Sequence, residues 1–339
     1  MKRPTMSDIA RAAGVSKGAV SYALNGRPGV SEPTRERVLR IAEELGWVPH
    51  TAARALSAAK AGAIGLAIAR PARILGLEPF FMQFISGIEV VLAERALALV
   101  LQVVPDVAAE GEVYRHWWAA HRVDGVIMVD ERVSDPRVAV LAALGLPAVI
   151  VGGHTGDRGG IASVSADDSA AMRSVVEYLV ALGHRHIGRV AGLAELRHVA
   201  DRTAMFDRVT AELRVRATVA DGDFTGEAGA RLARGLLSRP DRPTAIVFDN
   251  DVMAVAGLAV AQELGLAVPA ELSIVSWDDS PLCRLVHPPL TALARDIPAF
   301  GATAARSLAE ILDGAAPAGV PAEPLSLTVR GSTARVAGG

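Results

Sequence analysis

The sequence predicts a small all-helical head followed by a two-lobed α/β body built on parallel sheets. Two observations predict the arrangement. The first fifty residues carry three sets of helix start and stop signals, and from Gly62 onward short apolar runs alternate with amphipathic helical segments. A third sets the number of lobes: the 339-residue chain leaves about 275 residues for the body, too many for one small sheet.

The head reads in order. Thr5 can cap a helix from Met6 to about Ala13, and Asp8 three residues on completes a capping box. Gly14 closes it. Ser16 can cap a second helix, Lys17 to Leu24, which stops at Asn25-Gly26. Ser31 can cap a third, with Pro33 in its first turn, running to Leu45 and ended by Gly46. Ile9, Ala10, Ala13, Val15, Val20, Leu24, Val38 and Ile41 can share one miniature core. Two helices joined by a short glycine-containing turn have helix-turn-helix geometry. After Pro49, the segment HTAARALSAAK has helix propensity but little to bury, so it should be helical only when something else stabilises it.

In the body, strands are expected at 63–69, 96–103, 125–129, 147–151, 186–191, 244–248 and 272–277. A helix ending in Leu-Gly precedes a strand at Leu144-Gly145, Leu182-Gly183 and Leu264-Gly265. In such folds the ligand lies beyond the carboxyl ends of the strands.

Charge divides the chain. Residues 1–60 hold ten basic against five acidic side chains, whereas the remainder holds 25 basic and 32 acidic. A basic head on an acidic body suggests a module that binds a polyanion. The single cysteine, Cys283, excludes an intrachain disulfide and a multi-cysteine zinc site. The opening MKRPTMSDIARAAG lacks the apolar run of a secretory signal, and a cytoplasmic protein is expected. The uncharged stretch from Val138 to Gly156 is broken by Gly145, Pro147, Gly152 and Gly153, so no membrane span is expected.

Catalytic signatures are not expected. No dinucleotide fingerprint, Walker A loop or nucleophile elbow is anticipated, and neither a cofactor nor a metal. His184 and His186 read as a polar helix-to-strand turn. The adjacent pairs Asp167-Asp168 and Asp278-Asp279 could do acid–base work, but hydroxyl recognition ranks above it. The chain is therefore not read as an enzyme.

Residues 5–26, TMSDIARAAGVSKGAVSYALNG, resemble the head of the LacI/GalR family of transcriptional regulators. The likeness continues through VSEPTRERVLRIAEELGWVPHTAARAL (30–56), GAIGLAIA (62–69), Phe80-Phe81 to Gly87-Ile88, ALGHRHIGRVAG (181–192) and ADRTAMF (200–206). It extends to FDNDVMAVAG (248–257), LSIVSWDDSPL (272–282), HPPLTAL (287–293) and LTVRGSTA (327–334). Glu78-Pro79 stands where Asn-Pro is usual, and His50 where Asn is common. The resemblance implies a body like periplasmic sugar-binding proteins, with three crossovers between lobes. It divides the chain into a head at 1–49, a hinge helix at 50–60, one lobe from 61–161 with 294–323, and another from 162–293 with 324–339.

The resemblance also implies site residues. Lys17, Gly18 and Tyr22 occupy base-choosing positions on a helix placed in the major groove. Thr5, Ser16, Ser21 and Asn25 belong with the backbone-contacting set. Leu56 matches an apolar minor-groove wedge, and Ala53 lets the hinge helix approach the groove floor. Phe81, Arg202, Asn250, Asp251, Trp277, Asp278 and Arg295 fall where effectors are contacted, although Trp277 reads more as packing than as a stacking platform. Asp278, Arg202 and Asn250 suit a polyhydroxylated ligand, a sugar first of all. One cation against one or two carboxylates would disfavour sugar phosphates.

The expected protein is then a homodimeric, sequence-specific repressor with a pseudo-palindromic operator and a central CpG step, its affinity set by the effector. Induction and corepression both remain open. The tail GSTARVAGG after Arg330 has no apolar heptad, so no tetramer through a C-terminal coil is expected. Rival readings are a solute-binding protein of a sugar transport system and a sugar-modifying α/β enzyme.

Overall fold

The computed structural model describes residues 4–47, 60–152 and 160–336. The chain forms two compact units, Met1–Ala61 and Gly62–Gly339. The hinge segment at 50–60, with His50, Ala53 and Leu56, lies outside the described residues apart from Lys60.

The head consists of α1 (Met6–Ala13), α2 (Lys17–Leu24) and α3 (Glu32–Glu44). Asp8 Oδ2 accepts from the Thr5 amide at 2.9 Å, and Gly14 ends α1 at φ +67°. Ser16 Oγ accepts from the Ala19 amide at 3.1 Å, starting α2. Ile9, Ala10, Ala13, Val20, Ala23, Val38 and Ala42 are buried together, with Val15, Leu24 and Ile41 packed around them. These are the i, i+3 and i+4 positions that one face of a helix offers.

Among the described residues, the body holds two six-stranded sheets. The first contains β1 (Ala63–Ala69), β2 (Ala98–Val104), β3 (Gly125–Met128), β4 (Ala148–Val151), β5 (Ala162–Ser165) and β11 (Gly319–Pro321). Its order is β11-β5-β4-β3-β1-β2, parallel throughout. The second contains β6 (His186–Ala191), β7 (Arg216–Asp221), β8 (Ala245–Phe248), β9 (Ser273–Trp277), β10 (Thr291–Ala294) and β12 (Ser326–Thr328). Its order is β12-β10-β9-β8-β6-β7, with only β12 antiparallel.

The helices between them are α4 (Ala72–Leu77), α5 (Pro79–Glu94), α6 (Val107–Ala119), α7 (Pro136–Leu144), α8 (Asp168–Ala181), α9 (Arg197–Glu212), α10 (Gly226–Leu237), α11 (Asp251–Glu263), α12 (Pro281–Leu285) and α13 (Ile297–Leu312). They cover both faces of each sheet with apolar cores, which is why the central strands are apolar on both sides. Among the described residues, no helix is long and apolar enough to cross a membrane.

The chain crosses between sheets three times: from β5 to β6, from β10 to β11, and from β11 to β12. The first crossing comes after Ser165 rather than after Ile161. Residues 162–164 pair with β4 at Val149–Val151 and Ser165 pairs with Pro321 of β11, so they belong to the first lobe. α5 and α13 meet at two glycines: a Cβ on Gly87 would lie 1.8 Å from the Pro298 carbonyl oxygen, and one on Gly301 2.1 Å from that of Phe84. There the Phe84 ring lies 6.0 Å from that of Phe300, and Phe80 stacks on Phe84 at 5.8 Å. The tail is stitched to the second sheet, with Ser332 Oγ donating to the Ile274 carbonyl at 2.6 Å.

Candidate functional site

In the head, Lys17, Gly18 and Tyr22 are all exposed on α2, Tyr22 by 45 %. The Tyr22 ring edge lies beside Gly29. Ser16 is occupied as a cap, and Asn25 donates to the Ser21 carbonyl at 2.8 Å. Thr5 Oγ1 donates to Asp8 at 2.6 Å. These groups cap the two helices and close their turn while Lys17 and Tyr22 stay exposed. Gly14-Val15-Ser16-Lys17-Gly18 does carry the G-x-S-x-G spacing. It joins two helices instead of a strand and a helix, so it is no nucleophile elbow.

In the body, a cavity lies between the lobes, beyond the carboxyl ends of the strands, where open α/β sheets bind ligands. Arg70 follows β1, and Val129-Asp130 follow β3. Asp249 follows β8 and Asp278 follows β9. All but Val129 line the cavity, with Glu78, Phe80, Phe81, Asp168, His198, Arg202, Phe224, Arg295 and Phe300. Asp130, Phe224 and Asp278 adopt φ values of +53°, +69° and +65°. Three side-chain-bearing residues in the left-handed region around one cavity is the kind of local strain that clusters at binding sites.

The charges are largely paired. Arg70 Nε donates to Asp130 Oδ2 at 2.8 Å, and its guanidinium lies 4.9 Å from the Phe224 ring centroid across the cleft. Arg202 Nε donates to Asp168 Oδ2 at 3.0 Å, and its guanidinium sits 3.8 Å from the Trp277 ring centroid. Arg295 approaches Asp278 Oδ1 to 3.5 Å and lies 5.0 Å from the Phe300 centroid. Asp249 is held by Arg189 at 2.9 and 2.6 Å and by the Gly192 amide at 3.0 Å. Its carboxyl falls below the usual range because Arg189 and Arg202 outweigh the cost of burial.

Burial acts the other way elsewhere. It pushes the Glu78 carboxyl up to about 8, with Asp130, Asp278 and Asp251 adding to the rise against Arg70. Burial raises Asp278 too, opposed by Arg295 and Arg202. It lowers His198 to about 4, helped by Arg202, so that imidazole is neutral at pH 7. The cleft thus presents three guanidiniums and five carboxyl groups. The expectation of one cation against one or two carboxylates undercounted both signs, because residues from six loops converge here.

The expected effector residues separate into two groups. Arg202, Asp278, Arg295 and Phe81 line the cavity. Asn250, Asp251 and Trp277 are buried behind it. Asn250 caps α11, accepting from the Met253 amide at 2.9 Å and donating to the Phe224 carbonyl at 2.9 Å, so both ends of its amide are taken. Asp251 accepts from the Val252 amide at 2.8 Å. Trp277 is fully buried, with one face covered by Arg202, and serves as that cation's platform.

Sequence reading missed Arg70, Glu78, Asp130, Asp168, His198 and Phe224 as cavity residues. A usable signal existed for Arg70 and Asp130, which directly follow parallel strands. His198 gives none, since it lies on a helix whose orientation only the fold decides. His184 and His186 are hydrogen-bonded within the second lobe, to Thr244 and Ser273 and to Thr218 respectively. Among the described residues, no group of three or more His, Cys, Asp or Glu could hold a metal ion.

The lobes also touch outside the cavity. The Arg197 amide donates to the Glu131 carbonyl at 2.7 Å and the Val133 amide to the Glu195 carbonyl at 3.1 Å. Arg132 and Glu195 form an ion pair at 3.2 Å across the same seam.

The chain is similar to known proteins along nearly its whole length. The profile of bacterial regulatory proteins of the lacI family matches residues 5–50, and that of the periplasmic binding protein-like domain matches residues 176–333. The HTH-type transcriptional regulator CelR of Thermobifida fusca is 31% identical over 92% of this chain and 93% of its own. The crystal structure of the lac repressor dimer bound to operator superposes with a TM-score of 0.85 at 28% identity, covering 98% of this chain and 100% of that one. The complex of the transcriptional regulator CelR with cellobiose gives 0.74 at 29% identity, covering 97% and 100%.

Proposed function

The chain belongs to the lacI family of bacterial regulatory proteins, and from that premise we propose that it is a cytoplasmic repressor whose operator affinity is set by a small carbohydrate bound between its lobes. The observation that carries the reading is the exposed face of α2, where Lys17 and Tyr22 stand clear of the head's core. Lys17 donates to guanine O6 or N7, and Tyr22 contacts a thymine methyl or base edge. Gly18 donates nothing, so base choice rests on the other two. Ser16, Ser21, Asn25 and Thr5 position the helix against phosphates. Ala53 and Leu56 belong to the hinge, with Leu56 as the wedge at a central CpG step.

Two copies act together, and a two-fold protein reads a pseudo-palindromic site. The edge strand β2 carries exposed Leu101 and Val103, and Val90 is exposed on neighbouring α5. Such an edge invites a partner. The relative CelR binds cellobiose, and a hydroxyl-rich ligand suits Arg202, Asp278 and Arg295 here. Effector binding biases one lobe arrangement, and the hinge follows.

A mobility-shift assay on the source organism's own upstream DNA, run across a salt series with and without a sugar panel, tests this. The expected result is specific binding that weakens steeply with salt and responds to one sugar class. Binding by residues 61–339 alone equal to that of the full chain would contradict it.

A further inference from the structure

Glu78 sits where the first lobe meets the cavity, as the N-cap residue of α5. A carboxylate at that position normally accepts from the free amides of the first turn. Here it makes no capping bond. It lines the cavity, is only 8 % exposed, and its Oε2 has no hydrogen-bond partner among the described residues. A buried oxygen left without a donor is costly unless something supplies one. The groups facing Glu78 are Arg70, Asp130, Asp251 and Asp278. Arg70, the only cation among them, is committed to Asp130.

Most of the other unpartnered buried atoms in the cavity wall are carboxyl oxygens. Asp168 Oδ1 has no hydrogen-bond partner among the described residues, and Asp278 Oδ1 has Arg295 at 3.5 Å, with Arg295 Nε the unpartnered buried donor beside it. Each guanidinium already faces a protein carboxyl, Arg70 on Asp130, Arg202 on Asp168 and Arg295 beside Asp278. An anionic ligand would meet a carboxyl beside every one of these cations. A donor-rich, positively charged ligand would satisfy those carboxyls.

We propose that Glu78 and Asp278, one from each lobe, together read an ammonium group on the effector, so that the ligand class is an amino sugar. The proposal rests on the reading of the cavity as the carbohydrate site. Glu78 is the specificity-determining residue: the ammonium takes the place of the proton that burial otherwise holds on its carboxyl, and a charge-assisted hydrogen bond forms in exchange.

Calorimetric titration of the full-length protein at pH 7 with matched pairs tests it. The probes are glucosamine against glucose, galactosamine against galactose, and the β-1,4-linked glucosamine disaccharide against cellobiose. In at least one pair the amino sugar should bind about tenfold tighter or more, with a proton released into the buffer. Glu78→Gln should shrink that preference to about twofold or less and abolish the proton release. The wild-type ratios decide the ligand class even if the variant folds poorly. Equal or tighter binding of the neutral partner in every pair that binds overturns the ammonium proposal and leaves the carbohydrate reading standing. A preference retained in folded Glu78→Gln removes Glu78 from it. Binding of no probe at millimolar concentration overturns both readings together.

Discussion

Arg202 is sandwiched between a carboxylate and an indole. Its guanidinium lies 3.8 Å from the Trp277 ring centroid, while its Nε and a terminal nitrogen each reach Asp168 Oδ2 at 3.0 Å. Trp277 ends β9 and Asp168 begins α8, so one side chain ties the far end of a strand to the start of a helix on the cavity wall. The planar guanidinium can bond in its plane and stack on its face at once, which an ammonium cannot.

Replacing Arg202 by Ala should therefore destabilise the body by about 3 kcal/mol, since Asp168 is left buried without its cation. Urea denaturation measures this. Arg202→Lys should recover only part of the loss. A midpoint for Arg202→Ala equal to wild type would contradict the account.

The seam between the lobes offers a second test. Arg197 is the first residue of α9, a position that accepts proline without disturbing the helix. Arg197→Pro would remove two donors across the seam, the amide to the Glu131 carbonyl and the guanidinium to the Val133 carbonyl at 2.7 Å. The loss should be about 1–3 kcal/mol, confined to the closed arrangement. Small-angle scattering should show a larger radius of gyration with little change in melting temperature. An unchanged radius would mean that the seam contributes nothing to closure.

Glu78 makes stability depend on pH. The unfolded chain loses this proton near 4.5, whereas the folded protein keeps it up to about 8. The stabilisation is thus full below about pH 4.5 and is lost as pH rises through 8. Glu78→Gln lacks that loss. Relative to wild type, its stability should rise between about pH 5 and pH 9, on the order of 1–3 kcal/mol in total. Parallel melting curves across that range would show that Glu78 titrates normally.

Gly18 is not required by packing. A Cβ there would meet nothing closer than Ser16 Oγ at 3.7 Å, and the backbone is helical. Gly18→Ala should slow amide exchange in the head through about 0.5–1 kcal/mol of added helix stability. Operator affinity should nonetheless fall, because the methyl group occupies space that the glycine leaves for close approach to the groove. Equal affinity would show that the glycine plays no part in recognition.

The head was legible in the sequence because its determinants are local. Thr5 with Asp8, Ser16, Ser31 and the glycines at 14 and 46 mark each end, and the three-to-four-residue spacing within the pairs Ile9 and Ala13, Val20 and Leu24, and Val38 and Ile41 marks the core face of each helix. The central strands were legible for the same reason, being short apolar runs between helix stops. β5, β7, β10, β11 and β12 were not anticipated. They are short or half-exposed, and their strand character comes from pairing with a neighbour distant in the chain, as β11 does with β5 and β12 with β10.

The cavity divides along the same line. Motif position brought Arg202, Asp278, Arg295 and Phe81 to the cavity wall, but the same reasoning put Asn250 and Asp251 there too, where the fold has turned them inward as a cap and a buried acid, while Trp277 packs as the sequence suggested, under the Arg202 cation. Glu78, Arg70 and Asp130 come from separate loops and His198 from a helix, and only the two sheets facing each other bring them within reach. Sequence alone determined which segments are helices and central strands, because hydrogen bonding along a helix and burial along a strand are written in neighbouring residues. The tertiary structure decided which carboxyls are paired and which are left for a ligand, because that depends on distances between residues more than a hundred positions apart, such as Glu78 and Asp278.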